Sequence, residues 1–226
     1  MKVRVVCATR AARESFASST ALGKSLSLLR PAGVELRLFP GNAAGLPAIY
    51  NTAIAESAAD PAILLFIHDD VHLCDFHWTD TLNDALEQFA VVGVAGNRRR
   101  VARQPGWRFL DERFTRDRRE NLSGTVGHGH GFPAERIDMY GPSRQRVSLL
   151  DGVMLAVKSE TLHAKSLRFD EQFDFHFYDL DFCRQAERMA LSMGTCAISL
   201  VHESGGSFGS ESWCRGYERY LAKWGE

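Results

Sequence analysis

Residues 1–95 alternate short apolar runs with segments of helical length, and few architectures accept that pattern. Residues 3–8, 34–39, 62–67 and 91–95 are rich in Val, Ile, Leu and Phe and read as strands. Between them, residues 15–29 carry helix formers and stop at Pro31, and residues 48–58 follow Pro47, which suits a first helical turn. Residues 78–89 form a third helical segment. Strand and helix in alternation predict an α/β domain: a Rossmann-like, mostly parallel sheet with helices on both faces. Such sheets bind ligands outside the carboxyl ends of their strands. Thr9-Arg10, after the first strand, and His68-Asp69-Asp70-Val71-His72, after the third, are therefore the first candidates for a site.

The pattern fades between residues 97 and 146, where Arg98-Arg99-Arg100, Arg116, Arg118, Arg119 and Gly127-His128-Gly129-His130-Gly131 lie. A long stretch of this composition inside a compact domain reads as a mobile functional loop or lid. Beyond it, residues 147–150 and 153–157 read as strand on either side of Asp151-Gly152. Residues 178–193 read as a helix, 195–201 as a strand and 211–223 as a closing helix. The expected organisation is a single domain: a nucleotide-binding half over 1–96, the loop over 97–146, and an acceptor and catalytic half over 147–226.

Composition narrows the classes. A chain of 226 residues with 45% hydrophobic and 24% charged residues can bury a core and is not of disordered type. A formal net charge of -1 argues against a nucleic-acid partner. Cys7, Cys74, Cys183, Cys196 and Cys214 are odd in number and include no CxxC pair, so reduced thiols in a cytoplasmic protein are expected. Residues 1–6 enter a strand directly, without a signal-peptide pattern, and the longest apolar run is far too short to span a bilayer. No transmembrane segment is expected, and peripheral attachment to a membrane stays open.

Adjacent carboxylates at a strand end repel one another unless a cation or hydrogen-bond donors compensate. At Asp69-Asp70 a divalent cation, Mn2+ or Mg2+, would bridge phosphate oxygens; a solvated turn or a helix cap is the other reading. Asp179 and Asp181 open a helix, where one carboxylate can cap while the other faces a cleft as a general base. His202 ends an apolar strand, as Asp70 nearly does, and parallel strands gather their carboxyl ends on one edge. That makes it a candidate metal ligand beside Asp70, against the alternative of a structural histidine. His128 and His130 have an HxH spacing, but in a flexible loop two solvated histidines are expected.

Seven segments occur in order: Val5-Val6-Cys7-Ala8-Thr9-Arg10, Gly45-Leu46-Pro47-Ala48-Ile49-Tyr50-Asn51, Phe66-Ile67-His68-Asp69-Asp70-Val71-His72, Leu150-Asp151-Gly152-Val153, Phe169-Asp170-Glu171, Phe175-His176-Phe177-Tyr178-Asp179-Leu180-Asp181 and His202-Glu203-Ser204-Gly205-Gly206. Together they resemble family 2 glycosyltransferases of the A-type nucleotide-sugar fold. The branch they resemble most is similar to a domain of streptomycin-biosynthesis proteins. The resemblance implies that Ala8, Thr9, Arg10 and Asn51 surround the base and ribose of a nucleotide-sugar donor. Asp69-Asp70 would stand for the DxD-type motif, with Asp70 on the metal and Asp69 near the ribose. Here the motif reads DDxH, which leaves the role of His72 open. Tyr178-Asp179-Leu180-Asp181 resembles the ED-x-D segment with tyrosine in place of glutamate, and Asp179 inherits the role of base. Asp151, Gly152, His176 and Asp181 would meet substrate.

The implied reaction moves a sugar from a nucleoside-diphosphate donor to an acceptor hydroxyl, with inversion. The acceptor could be a glycan, a lipid-linked sugar or a small molecule. Arginines in 97–146 would favour an anionic acceptor unless they form only a solvated charged loop. Two alternatives remain: a nucleotidyltransferase, and a nucleotide-sugar-binding protein without turnover. Neither a P-loop nor a GxGxxG follows a strand, which argues against kinase-like or dinucleotide chemistry.

Overall fold

The computed structural model describes residues 1–225. The chain opens with β1 (Val3–Ala8), α1 (Arg13–Ser19), α2 (Ala21–Leu29), β2 (Val34–Phe39), α3 (Leu46–Glu56), β3 (Ile63–Ile67) and β4 (Val71–Leu73). Next come α4 (Trp78–Gln88), β5 (Val91–Gly93), β6 (Ala95–Asn97), β7 (Leu122–His128) and β8 (Arg136–Gly141). The last part holds β9 (Arg146–Val147), β10 (Leu149–Leu150), β11 (Met154–Lys158), α5 (Ser159–Ala164), α6 (Tyr178–Arg188), β12 (Met193–Thr195), β13 (Leu200–His202) and α7 (Glu211–Trp224).

The main sheet runs β2-β1-β3-β11-β5-β12-β9. β3 is buried along its whole length, as an unbroken apolar run in a covered central strand should be. β1 pairs in parallel with β2 and with β3, so Val5 stands between Leu36 and Leu65. The α/β class stands, with helices flanking the sheets. The main sheet is mixed, because β11 enters antiparallel between β3 and β5. The chain reaches β11 from the carboxyl edge, after an excursion through a second sheet, so it must run the opposite way.

That second sheet runs β10-β6-β7-β13-β4, with β8 added on β7. It absorbs much of the stretch that reads as a loop: residues 122–128 and 136–141 are strands. Glycines and polar residues conceal β7. Gly124, at φ +99, sits at a bulge, and a Cβ there would lie 1.9 Å from Val94 O, so only glycine lets the strands approach. The stretch before β7 is anchored by buried Asp117, which accepts from Asn97 Nδ2 at 3.0 Å, Arg99 Nε at 2.9 Å and Asn121 Nδ2 at 2.9 Å.

Three boundaries differ from the sequence pattern for local reasons. Residues 15–29 form two helices, because Thr20 is extended and its side chain accepts from Gly23 N at 3.0 Å, capping α2. Residues 195–201 contribute to two strands in different sheets, β12 and β13. The helix expected over 178–193 ends at Arg188, and its last residues turn into β12. Among the described residues no helix is long and apolar enough to cross a membrane.

Candidate active site

The end of β3 delivers His68-Asp69-Asp70 in sequence, and β4 follows at once. β13 lies antiparallel to β4 with His202 opposite Val71, and Glu203 N donates to Asp70 O at 3.0 Å. Asp70 and His202 are thus brought together by an antiparallel ladder in the second sheet. The expected route, neighbouring carboxyl ends of parallel strands, is not the one used.

His202 Nε2 lies 3.3 Å from Asp70 Oδ1, and His68 Nδ1 lies 4.0 Å from the same oxygen. The ligand atoms of His68, Asp70 and His202 all fall within 4.8 Å of one another. Asp70 Oδ1 is buried, with the His202 imidazole at 3.3 Å as its ion-pair neighbour and no well-formed hydrogen bond, a state that a cation between them would relieve. One carboxylate and two imidazoles form a donor set that suits a divalent transition-metal cation, so the residues fit a divalent metal of the kind the resemblance implies. Burial alone would raise the Asp70 carboxyl, but His202 and His68 hold it down to about 2. Burial would lower the His202 imidazole, and the neighbouring Asp70 raises it above its usual value.

The second part of the site is the start of α6. Phe177 adopts φ +66, a left-handed conformation that costs a side chain of this size on the order of 1–3 kcal/mol. Packing against Trp213, Tyr217 and Tyr220, with ring centroids at 5.2, 5.6 and 5.4 Å, holds it there. The sharp turn places Tyr178 and Asp179 at the wall of a cavity that His68, His202, Asp151, Gly152 and His176 also line. Asp179 Oδ2 accepts from Gly152 N at 2.9 Å and Oδ1 from Leu180 N at 2.9 Å. Burial, then the charge of Asp151, push its carboxyl up to about 7 against those backbone donors. A carboxylate of that basicity suits a general base near neutral pH.

Asp181, the other acidic residue of this turn, is corrected from substrate contact to structure. Its side chain is fully buried and accepts from Trp224 Nε1 at 2.9 Å and Gln185 Nε2 at 2.7 Å, with Lys223 Nζ at 2.5 Å. Two residues along a helix is about 200° of rotation, so when Asp179 faces the cavity Asp181 faces α7.

Ala8, Thr9, Arg10 and Asp69 line a neighbouring pocket with residues 42–46. Thr9 Oγ1 donates to Asp69 Oδ2 at 2.6 Å, which ties the ends of β1 and β3 together. Phe175 borders both pockets and stacks on His68 at 5.7 Å. Asn51 does not line this pocket: its amide is spent on Phe169 O at 2.8 Å, Glu171 Oε1 at 2.9 Å and Phe169 N at 3.0 Å, fastening α3 to the chain before α6. His72 lies outside the metal cluster and outside the cavity, with Glu203 and Lys24 as charged neighbours. The residues flanking it in β4 turn inward, so His72 faces the other way.

His68 and Tyr178 lie in candidate segments to which the sequence assigned them no role, and the far wall of the cavity was not legible at all. His68 and Asp70 lie in the turn that joins β3 to β4, so strand alternation does not predict that they share a side. Trp107, Arg108, His128 and Tyr140 come from the irregular stretch and the second sheet, and no local pattern aims them at β3. His128 lies 3.4 Å from Asp138 Oδ2 rather than in solvent.

A mixed α/β sheet with an acidic and histidine cluster at its edge, beside a basic carboxylate, has the architecture of an A-type glycosyltransferase. The crystal structure of GalNAc-T7 with UDP, GalNAc and Mn2+ is similar over 98% of this chain and 48% of its own, at 10% identity and a TM-score of 0.54. The chain therefore spans about half of that protein. Two weaker likenesses are A197 from STIV, at 12% identity, 88% of this chain, 82% of its own and a TM-score of 0.48, and S. aureus TarS 1-349, at 11%, 90%, 60% and 0.48. No curated protein sequence matches the chain. Residues 9–220 match the model described as a glycosyltransferase like family, and the chain belongs to that family. It is a glycosyltransferase.

Proposed function

We propose that this enzyme transfers a sugar from a nucleoside-diphosphate sugar to an acceptor hydroxyl, with inversion and with a divalent cation, Mn2+ or Mg2+. The carrying observation is the buried Asp70 carboxylate held between two imidazoles, in a cluster whose histidines line the same cavity as Asp179. Asp70 and His202 would hold the cation, which when bound supplies charge stabilisation for the departing nucleoside diphosphate. Ala8, Thr9, Arg10 and Asp69 would bind base and ribose in the adjoining pocket. Asp179 accepts the proton of the acceptor hydroxyl as its oxygen attacks the anomeric carbon, while Gly152 N and Leu180 N hold the carboxylate in aim.

The acceptor would lie against Trp107, Arg108 and Tyr140. Arg108 has a buried Nε without a partner, while its Nη1 donates to Tyr140 OH at 3.1 Å, and this guanidinium on the cavity wall favours an anionic group on the acceptor. In this reading residues 1–96 serve the donor, the stretch before β7 closes over it, and the acceptor lies between that stretch and the half that carries the base. The ordered motifs support the streptomycin-biosynthesis-type branch, and five free thiols suit the cytoplasm.

A panel of nucleotide-sugars with Mn2+ and mixed glycan, lipid-linked and small-molecule acceptors tests the proposal. Release of nucleoside diphosphate is expected. Pyrophosphate as product would establish nucleotidyl transfer instead, and nucleotide binding without turnover anywhere in the panel would make the chain a binding protein.

A further inference from the structure

We infer that Tyr178 is a positioning residue that locks His68 in one tautomer, so that His68 Nδ1 becomes a third protein ligand beside Asp70 and His202; this rests on the metal-dependent reading above. The argument is a count of protons. Tyr178 OH lies 2.8 Å from Gly152 O and 2.9 Å from His68 Nε2. A carbonyl oxygen only accepts, and two oxygens that close need a proton between them. The single hydroxyl proton of Tyr178 is therefore spent on Gly152 O. The proton in the contact with His68 must then come from the ring, which makes Nε2 the N–H donor. A neutral imidazole carries one N–H, so Nδ1 presents a lone pair.

The surroundings agree. His68 Nδ1 is 4.0 Å from Asp70 Oδ1, too far for a hydrogen bond, so nothing there calls for a proton on Nδ1. Phe175 stacks on one face of the imidazole, and Tyr178 is itself buried, so the ring has little freedom to flip. Partners of this kind, behind a ligating histidine, fix its tautomer and orientation.

The same geometry gives Gly152 a role. A Cβ at residue 152 would lie 2.5 Å from Tyr178 OH and 2.9 Å from Asp179 Cβ. Gly152 is gripped through its carbonyl by Tyr178 and through its N–H by Asp179. One peptide segment thus sets both the ligand His68 and the base Asp179.

Long-range 1H–15N correlation spectra of the metal-free chain read the tautomer directly, and Nε2–H is expected for His68 in the wild type. Co2+ alone is the second probe, titrated by calorimetry and visible absorption. His68→Asn keeps an acceptor near the place of Nδ1 and should retain most of the Co2+ affinity. His68→Gln carries its amide to the place of Nε2 and should lose about 10- to 100-fold, as should Tyr178→Phe. An Nδ1–H tautomer, or His68→Gln binding Co2+ like the wild type, overturns the inference even if Co2+ still binds. Failure of the wild type to take Co2+ at all sinks the metal-dependent reading itself. Should Tyr178→Phe fail to fold, the spectra and the Asn and Gln pair still decide.

Discussion

Asp179→Asn separates the catalytic work of this carboxylate from its energetic burden. In the folded chain the carboxyl sits at about 7 because it is buried beside Asp151. An unfolded aspartate titrates near ~3.9. A group whose folded value is raised contributes stability that is fully present below the unfolded value and is lost as pH rises to the folded one. Between pH 5.5 and 7 only the unfolded state ionises, at about 1.4 kcal/mol per unit, so the wild type should lose about 2 kcal/mol over that span and little more above it. Asparagine cannot ionise and should not show that loss. It also replaces one acceptor oxygen facing Gly152 N or Leu180 N, at a cost of roughly 1–3 kcal/mol that does not depend on pH. The informative quantity is therefore the difference in pH slope, not the absolute stability. Urea denaturation of both proteins at pH 5.5, 7 and 8.5 measures it. Wild-type transfer should rise as pH passes about 7, and the variant should fall by about 100- to 10,000-fold above that pH, with the deficit narrowing below it where the wild-type carboxyl is protonated. Parallel stability curves, or a variant with normal turnover, would refute the assignment of Asp179 as a buried base.

Chelation should weaken nucleoside-diphosphate binding sharply, and His202→Ala should do the same in the presence of Mn2+ while leaving the apo melting temperature almost unchanged; calorimetry with paired melts checks both. Asp181→Ala should destabilise by about 1–3 kcal/mol, since it strands the buried Trp224 Nε1 while Lys223 keeps Asp170 as a partner, and a urea midpoint shift at constant m-value would show it. Limited proteolysis should cut within residues 98–118 of the free enzyme and be suppressed by donor with Mn2+; cleavage indifferent to ligand would remove this stretch from the role of lid.

Much of the first half was legible in the sequence. An apolar run such as residues 62–67, with polar residues at its end, can only be a covered strand that opens onto an edge, because burial on both faces leaves no alternation. That reasoning reached Asp69, Asp70 and Thr9, and the helix-start argument reached Asp179. It could not say which of Asp179 and Asp181 faces the cleft, because both readings obey the same helix-end electrostatics. Only the position of α7, with Lys223 and Trp224 waiting for Asp181, decides it. Nor could it see that Asn51 is consumed by Phe169 and Glu171, contacts across a wide gap in the chain.

The second sheet shows most clearly where sequence stops. β7 is bulged and rich in glycine and β8 is partly exposed, so the period of both is weak. Yet they bring His128 and Tyr140 to the cavity, and β13 joins β4 to set His202 against Asp70. Local propensity is a property of neighbours in the chain. The pairing of His202 with Asp70, and the hydrogen bond from His68 through Tyr178 to Gly152, join residues far apart in the chain, and only the packed sheets bring them together.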